Sequence, residues 1–145
     1  TFSLRPASGV MELEVAEENG FKSLAEALEY YEVENPAIPT WIPNRYSIDR
    51  VAAMEAENTT TISGRYTTDS GTLFIRVTIG FEEDFTFEEN QTAEHNMYQA
   101  KGIEFVLSTN MDTERATWDI NGVTYSAGGN ISLDELKEML DSIQP

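Results

Sequence analysis

The 145-residue sequence contains no cysteine and a single histidine, His95. Without cysteine the chain has no disulfide, no thiolate nucleophile, no zinc–thiolate site and no iron–sulfur cluster. One histidine cannot form a metal-binding histidine cluster, and the neighbours of His95 give no spacing typical of nucleophilic catalysis. The sequence therefore predicts no catalytic residue and no cofactor, and we expect a protein that is not an enzyme.

Basic residues are also scarce. Nine lysines and arginines face 26 acidic residues, which gives a formal net charge of -17. This charge repels nucleic acids and anionic membrane surfaces. The chain also lacks an apolar run of about 18 residues, the minimum for a membrane-spanning helix. We expect no nucleic-acid binding and no membrane insertion of this segment. The charge permits a basic partner or a divalent cation, but we favour solubility as its explanation. The partner that we expect is another protein.

Two acidic stretches raise the question of calcium. The residues Asp119, Asn121 and Gly122 resemble the middle of a calcium loop, but the twelfth position of that loop falls at Gly128, where a bidentate glutamate is required. A second, denser stretch is typical of a solvated acidic loop; its carboxylates are Glu82, Glu83, Asp84, Glu88 and Glu89. The sequence therefore predicts no metal site.

The length suits one domain over residues 1–145, and alternating apolar residues predict most of its strands. The N-terminal part, 1–35, is expected to hold a short strand over Val10–Val15 and then a helix. Residues 81–91 lack a clean period and are expected to form a loop or one helical turn. The other strands are predicted at Tyr46–Met54, Thr59–Tyr66, Leu73–Ile79, Thr92–Ala100, Ile103–Ser108, Ala116–Ile120 and Val123–Ala127.

Asn121-Gly122 is the most specific local signal. An Asn-Gly pair supplies the positive φ angles of a type I′ turn, which closes a two-residue β-hairpin. The turn sets the register, so we expect Ile120 to face Val123 and Trp118 to face Tyr125.

Two helices are predicted near the two ends of the chain. Ser23 with Glu26 matches a capping box that opens a helix to Tyr31, and Ser132 with Glu135 opens a helix to Ile143. The second helix carries an apolar stripe at helical spacing, formed by Leu133, Leu136, Met139, Leu140 and Ile143. The combined pattern predicts an α+β fold: a curved antiparallel meander sheet of about five to seven strands, with one face covered by the N-terminal and C-terminal helices.

The segment between the first helix and the first long strand is rich in proline and aromatic residues. Pro36, Pro39 and Pro43 fix its backbone, and Trp41 and Tyr46 can fasten it to a core. An aromatic platform for a ligand is the alternative. We favour the structural role because buried aromatic side chains mostly pack.

The order of these motifs resembles the bacterial family called domain of unknown function 4367. The resemblance covers about residues 36 to 143. It rests on Pro39-Thr-Trp41-Ile-Pro43 leading to Tyr46, the strand Ile103–Leu107 after Gly102, the segment Trp118-Asp-Ile-Asn121-Gly122-Val-Thr-Tyr125, the segment Ile131-Ser-Leu-Asp-Glu-Leu136, and a closing Asp-Ser-Ile.

The resemblance implies an outward-facing C-terminal domain of a Gram-positive bacterial protein that is anchored by an upstream membrane span or secreted. Some such proteins are similar to anti-sigma factors or their regulators. The family has no catalytic residues to transfer. Trp118, Asn121, Gly122 and Tyr125 are its motif positions, and with Trp41 and Tyr46 we interpret them as structural. We expect a non-enzymatic extracytoplasmic sensing or protein-interaction domain, with a carrier of a small apolar ligand, built like a lipoprotein-sorting half-barrel, as the alternative.

Overall fold

Seven antiparallel strands form one sheet in the computed structural model, which describes residues 21–80 and 94–144. In chain order the elements are α1 (Leu24–Tyr30), β1 (Ser47–Glu55), β2 (Thr59–Thr68), β3 (Gly71–Gly80), β4 (Glu94–Ala100), β5 (Ile103–Asn110), β6 (Thr113–Ile120), β7 (Val123–Gly129) and α2 (Leu133–Asp141). The predicted α+β class with an antiparallel sheet and two helices is confirmed. The expected strand Val10–Val15, the segment 81–91 and its acidic cluster lie outside the described residues.

The strand order is β1-β2-β3-β7-β6-β5-β4. Two meanders therefore meet at the centre of the sheet, where β3 pairs with β7 along Leu73↔Gly129 to Ile79↔Val123. Within each meander, sequential strands pair as neighbours. This order places β1 and β4 at the two edges of the sheet.

One face of the sheet is packed against both helices. Its centre is the alternating run of β3, in which Leu73, Ile75 and Val77 are at most 2% exposed. α1 packs over β1 and β2, and α2 contacts β6. The helices bury their apolar stripes in the same core, with Leu24, Ala27, Leu28, Leu136, Met139 and Leu140 contributed by the two helices.

One of the two helix starts differs in detail from its predicted capping box. At α2 both reciprocal bonds of Ser132 and Glu135 are present, as predicted. At α1 the Ser23 hydroxyl accepts the Glu26 N–H, but the Glu26 carboxylate accepts the N–H of Lys22 rather than that of Ser23. The prediction of a full box at α1 was therefore half right, because the carboxylate satisfies a donor one residue further out.

The C-terminal helix also ends earlier than predicted. α2 stops at Asp141, and Ser142 caps it. Ile143 lies beyond the cap and is still fully buried, whereas Leu133 in the first turn is 37% exposed. The apolar stripe is therefore effective from Leu136 onward.

Candidate functional site

The Asn121-Gly122 turn has the geometry that its sequence predicts. Asn121 has φ 53° and Gly122 has φ 82°. Trp118 pairs with Tyr125 and Ile120 with Val123, which confirms the predicted register. The rings of Trp118 and Tyr125 stack with centroids 5.7 Å apart and an interplanar angle of 10°. The turn residues themselves are exposed.

The Trp118 side chain fastens the proline-rich segment to the sheet. Its ring packs edge-on against Phe105 at 5.0 Å, and its Nε1–H donates to the carbonyl of Ala37 at 3.0 Å. Trp118 and Tyr125 are each 2% exposed. Burial is the main reason that the pKa of Tyr125 lies above its ordinary value. The stacked pair therefore belongs to the core between the sheet and the covering segments.

Tyr46 and Trp41 fasten the same segment at two further points. The Tyr46 hydroxyl donates to the carbonyl of Asn130 at 2.7 Å, and the Asn130 side chain accepts the N–H of Thr72 at 3.0 Å. The backbone N–H of Trp41 donates to the Ser142 hydroxyl at 3.2 Å, and its ring is half-buried. The six motif residues are thus spread along the helix-covered side and its hairpin end, and they do not converge on one pocket.

The strongest ion pair on the helix-covered side also has a local role. Arg45 Nη1 lies 2.7 Å from Glu135 Oε2, and Nη2 lies 3.0 Å from Oε1. These hydrogen bonds, joined by the bond from the Ser132 backbone, lower the pKa of Glu135 from 4.5 to about 2. This carboxylate therefore caps α2 and binds the arginine.

The opposite side of the sheet has a different composition. We call it the open face, because within residues 21–80 and 94–144 neither helix lies on it. The registers of successive strands align its residues in rows that run across the sheet. From β1 to β5 the first row reads Arg50, Arg65, Phe74, Gly128, Arg115 and Ser108, and it ends at the register position of His95 on β4. The second row crosses seven strands and reads Ala52, Ser63, Arg76, Ser126, Thr117, Val106 and Met97.

An arginine–phenylalanine centre, formed by Phe74, Arg76 and Arg115, lies in the middle of this face. The guanidinium carbons of Arg76 and Arg115 lie 4.8 Å and 5.5 Å from the centroid of the Phe74 ring. Burial, and next the nearby charge of Arg115, lower the pKa of Arg76. Two cations thus share one aromatic ring, an arrangement stabilised by cation–π attraction.

A depression of about 430 Å³ lies beside the centre, between β5 and β6. The ladder between these strands ends at Val106↔Thr117. Two residues further, the register would bring Glu104 opposite Asp119, and like charges across a ladder are destabilising. The strands separate there. Both apolar and acidic side chains line the gap, among them Met97, Ile103, Glu104, Asp119 and Ile120.

Sequence reasoning missed the open face as a site. The alternation of Phe74, Arg76 and Thr78 with the buried residues of β3 was visible. The gathering of arginines from four strands was not, because it depends on strand order. A usable signal was that three of the nine basic residues of the chain, Arg50, Arg65 and Arg76, fall within predicted strands, and that Arg115 directly precedes one.

Residues 36–143 match the profile of a family described as Domain of unknown function (DUF4367). The chain belongs to this family. The match covers well over half of the sequence. No curated protein matches the chain.

The DUF4367 region contains all seven described strands and α2, whereas α1 precedes it. Both the helix-covered side and the open face therefore belong to the family region. Leu24, Ala27 and Leu28 of α1 come from outside it and complete the core above β1 and β2.

Two further properties concern ions and membranes. Residues 21–80 and 94–144 hold no group of three or more metal-ligating side chains of the histidine, cysteine, aspartate and glutamate types. No helix in this described part of the DUF4367 chain is long and apolar enough to cross a membrane.

Proposed function

We propose that this domain is a non-enzymatic protein-interaction module that works outside the cytoplasm of a bacterium and binds its partner through the open face. The observation that carries the proposal is the arginine–phenylalanine centre. In a chain of net charge -17, two neighbouring arginines lie over one ring on a sheet face that no described helix covers. Arginine and aromatic residues are enriched in the cores of protein–protein interfaces.

The helix-covered side supports the choice of the opposite face. An apolar-ligand carrier requires a cavity between sheet and helices, and large side chains occupy that space in the described core. Trp118, Phe105, Leu136 and Met139 are each at most 2% exposed. We therefore base the proposal on the open face rather than on the carrier alternative.

The distribution of reactive groups supports a non-enzymatic role. The carboxylate with the large downward pKa shift is Glu135, and its partners are Arg45 and the helix start. The hydroxyl with the large upward shift is Tyr31, whose pKa rises to about 12 through burial and a bond to Glu55. Neither group lies on the open face, so these two large shifts belong to helix attachment.

The family resemblance supports the proposed extracytoplasmic location, and protease treatment of intact cells tests it. The full-length gene product, carrying an epitope at the domain, should be degraded in intact cells while a cytoplasmic control protein survives. Protection of the domain until the cells are lysed would place it inside and contradict the proposal.

Site-specific photo-crosslinking in living cells tests the interaction surface. A photoreactive phenylalanine analogue replaces Ser63 or Thr117 on the open face, with Glu29 on α1 and Glu138 on α2 as exposed control positions. We expect a discrete higher-mass protein adduct from the first pair of positions and none from the second pair. Equal adducts at all four positions, or adducts from the helices alone, would contradict the proposal.

A further inference from the structure

The arginines of the protein differ in whether a carboxylate lies close to the guanidinium group. On the helix-covered side Arg45 has Glu135 at 2.7 Å, and at the edge of the open face Arg65 has Asp49 at 3.7 Å. Within the part of the chain that the structure describes, Arg76 and Arg115 have no carboxylate within 4.0 Å. Among residues 21–80 and 94–144, the two central cations therefore have a ring as their neighbour instead of an anion.

Gly128 makes this arrangement possible. It separates Phe74 from Arg115 in the first row. A Cβ at Gly128 would lie 2.5 Å from the carbonyl oxygen of Glu114, so a larger residue does not fit. Because this position carries no side chain, the Arg115 guanidinium can extend across it to the Phe74 ring. Glycine in a strand interior often marks a place where another chain or a ligand approaches closely.

The surroundings of the centre are polar and can accept or donate hydrogen bonds. Partly exposed hydroxyl groups lie in the second row at Ser63 and Thr117, whereas Ser126, between Arg76 and Thr117, is buried. Seven strands at a spacing of about 4.8 Å give a row about 29 Å across, the length of roughly nine extended residues. The row thus matches a short extended segment of polypeptide.

We propose that the partner presents an acidic polypeptide segment, whose carboxylates bind Arg76 and Arg115 on the open face. This inference rests on the proposed interaction function and adds the chemistry of the partner. A guanidinium binds a carboxylate through two parallel hydrogen bonds, and stacking on Phe74 holds the planar groups in place. Charges beyond about 8–10 Å are screened at physiological salt, so a short acidic segment responds to the local arginines. A nucleic acid carries its charge along its whole length and meets the repulsion of the whole acidic chain.

Fluorescence anisotropy with defined peptides tests the inference. The probe is a labelled octapeptide of alternating glutamate and serine, and the same peptide with glutamine in place of glutamate is the neutral comparison. The protein is the full 145-residue chain as wild type, R76Q/R115Q, and K137Q. Lys137, on helix α2, is the matched control because it is also a cation beside an aromatic ring but lies away from the open face. Its Nζ lies 5.3 Å from the centroid of the Tyr98 ring. Circular dichroism melts establish whether each variant folds. If R76Q/R115Q does not fold, R76K/R115K, which keeps both positive charges, takes its place in the comparison.

We expect the acidic peptide to bind more tightly than the neutral one by at least about tenfold at about 150 mM salt, with the preference largely lost at about 1 M. R76Q/R115Q should weaken binding of the acidic peptide by about tenfold or more, K137Q by less than about twofold, and R76K/R115K by an intermediate factor because lysine lacks the planar fork.

Each contrary result has a specific meaning. Equal binding of the acidic and neutral peptides, or unchanged binding by a folded R76Q/R115Q, overturns the inference. Tighter binding of a single-stranded DNA of equal charge overturns the choice of polypeptide. If the peptide binds only after the acidic residues of segment 82–89 are changed to their amides, this segment of the same chain competes for the open face. That result overturns the inference of a separate acidic partner. If crosslinked adducts at Ser63 and Thr117 persist unchanged in R76Q/R115Q, the interaction function stands and the acidic partner is rejected.

Discussion

The indole N–H of Trp118 donates a hydrogen bond to the backbone carbonyl of Ala37 across 3.0 Å, joining β6 to the segment that follows α1. Both residues are almost fully buried. The bond therefore satisfies a carbonyl that has no access to water, and it connects the family's tryptophan motif to the start of the family region.

Replacing Trp118 by phenylalanine should destabilise the protein. The change removes the donor and leaves the buried Ala37 carbonyl unpaired, at a cost of about 1–3 kcal/mol. Urea unfolding followed by circular dichroism measures this difference. The matched control is W41F, because the half-buried Trp41 forms its hydrogen bond through the backbone. Equal unfolding midpoints for W118F and wild type would show that the bond contributes nothing.

The effect of a substitution in the Asn121-Gly122 turn on stability should come from backbone conformation alone. Nothing lies within 4 Å of a Cβ built at Gly122, so a substitution there meets no steric clash. Its φ of 82° is nevertheless unfavourable for a β-branched residue, and G122V should lose about 1–3 kcal/mol. N121G is the control, since glycine adopts positive φ freely. A thermal melt of G122V that overlays wild type would rule out the type I′ constraint.

The two leucines of α2 provide a graded test of the core. Leu136 is fully buried and Leu133 is 37% exposed. L136A should cost about 2–5 kcal/mol through lost burial and the cavity that remains. L133A should cost less than about 1 kcal/mol, because much of that side chain is already in water. Similar losses for both variants in chemical denaturation would mean that α2 does not pack through the observed face.

Acid should weaken the attachment of α2. The pKa of Glu135 is lowered to about 2 from 4.5, chiefly by the hydrogen bond from Arg45. A group with a lowered folded-state pKa stabilises the fold above its unfolded pKa, and this contribution is lost as pH falls through the folded value. The window is therefore about pH 4.5 down to about 2. E135Q should melt below wild type at neutral pH, and the difference in Tm should shrink across that window. A difference that stays constant with pH would exclude the ion pair as its cause.

Calcium should leave the stability of the protein unchanged. The sequence predicts that both acidic stretches are solvated rather than metal-binding, and a ligand that binds the folded state raises its melting temperature by mass action. Differential scanning fluorimetry with millimolar calcium, and separately with a chelator, should give superimposable curves. A rise of several degrees with calcium would contradict the prediction.

The sequence predicted local features well, because local residues determine them. The Asn121-Gly122 pair specified its turn, and the alternation of Leu73, Ile75 and Val77 specified the buried face of β3. Strand order was beyond reach, since the β3–β7 pairing joins residues far apart in the chain. Any strand with an apolar face could have taken the place of β7 beside β3.

The open face could not be predicted for the same reason. Arg115 lies near Phe74 because β6 pairs with β7 and β7 pairs with β3. Each arginine by itself resembles an ordinary solvated residue on a half-exposed strand.

The half-formed capping box at α1 shows a different limit of prediction. The motif predicted the donors at the helix start, but the Glu26 carboxylate had two neighbouring N–H groups within reach and accepted the hydrogen bond from that of Lys22.

The junction between β3 and β7 has a consequence for folding. Each meander forms by closing short turns, and the entropic cost of closing a short loop is small. The two meanders, β1–β3 and β4–β7, can therefore assemble early and independently. Joining them requires the pairing from Leu73↔Gly129 to Ile79↔Val123, which closes a much longer loop. Contacts of large sequence separation slow folding. We therefore expect the central ladder of the sheet to form last, and its rate to determine how long the unpaired edges of the two half-sheets are exposed to other chains.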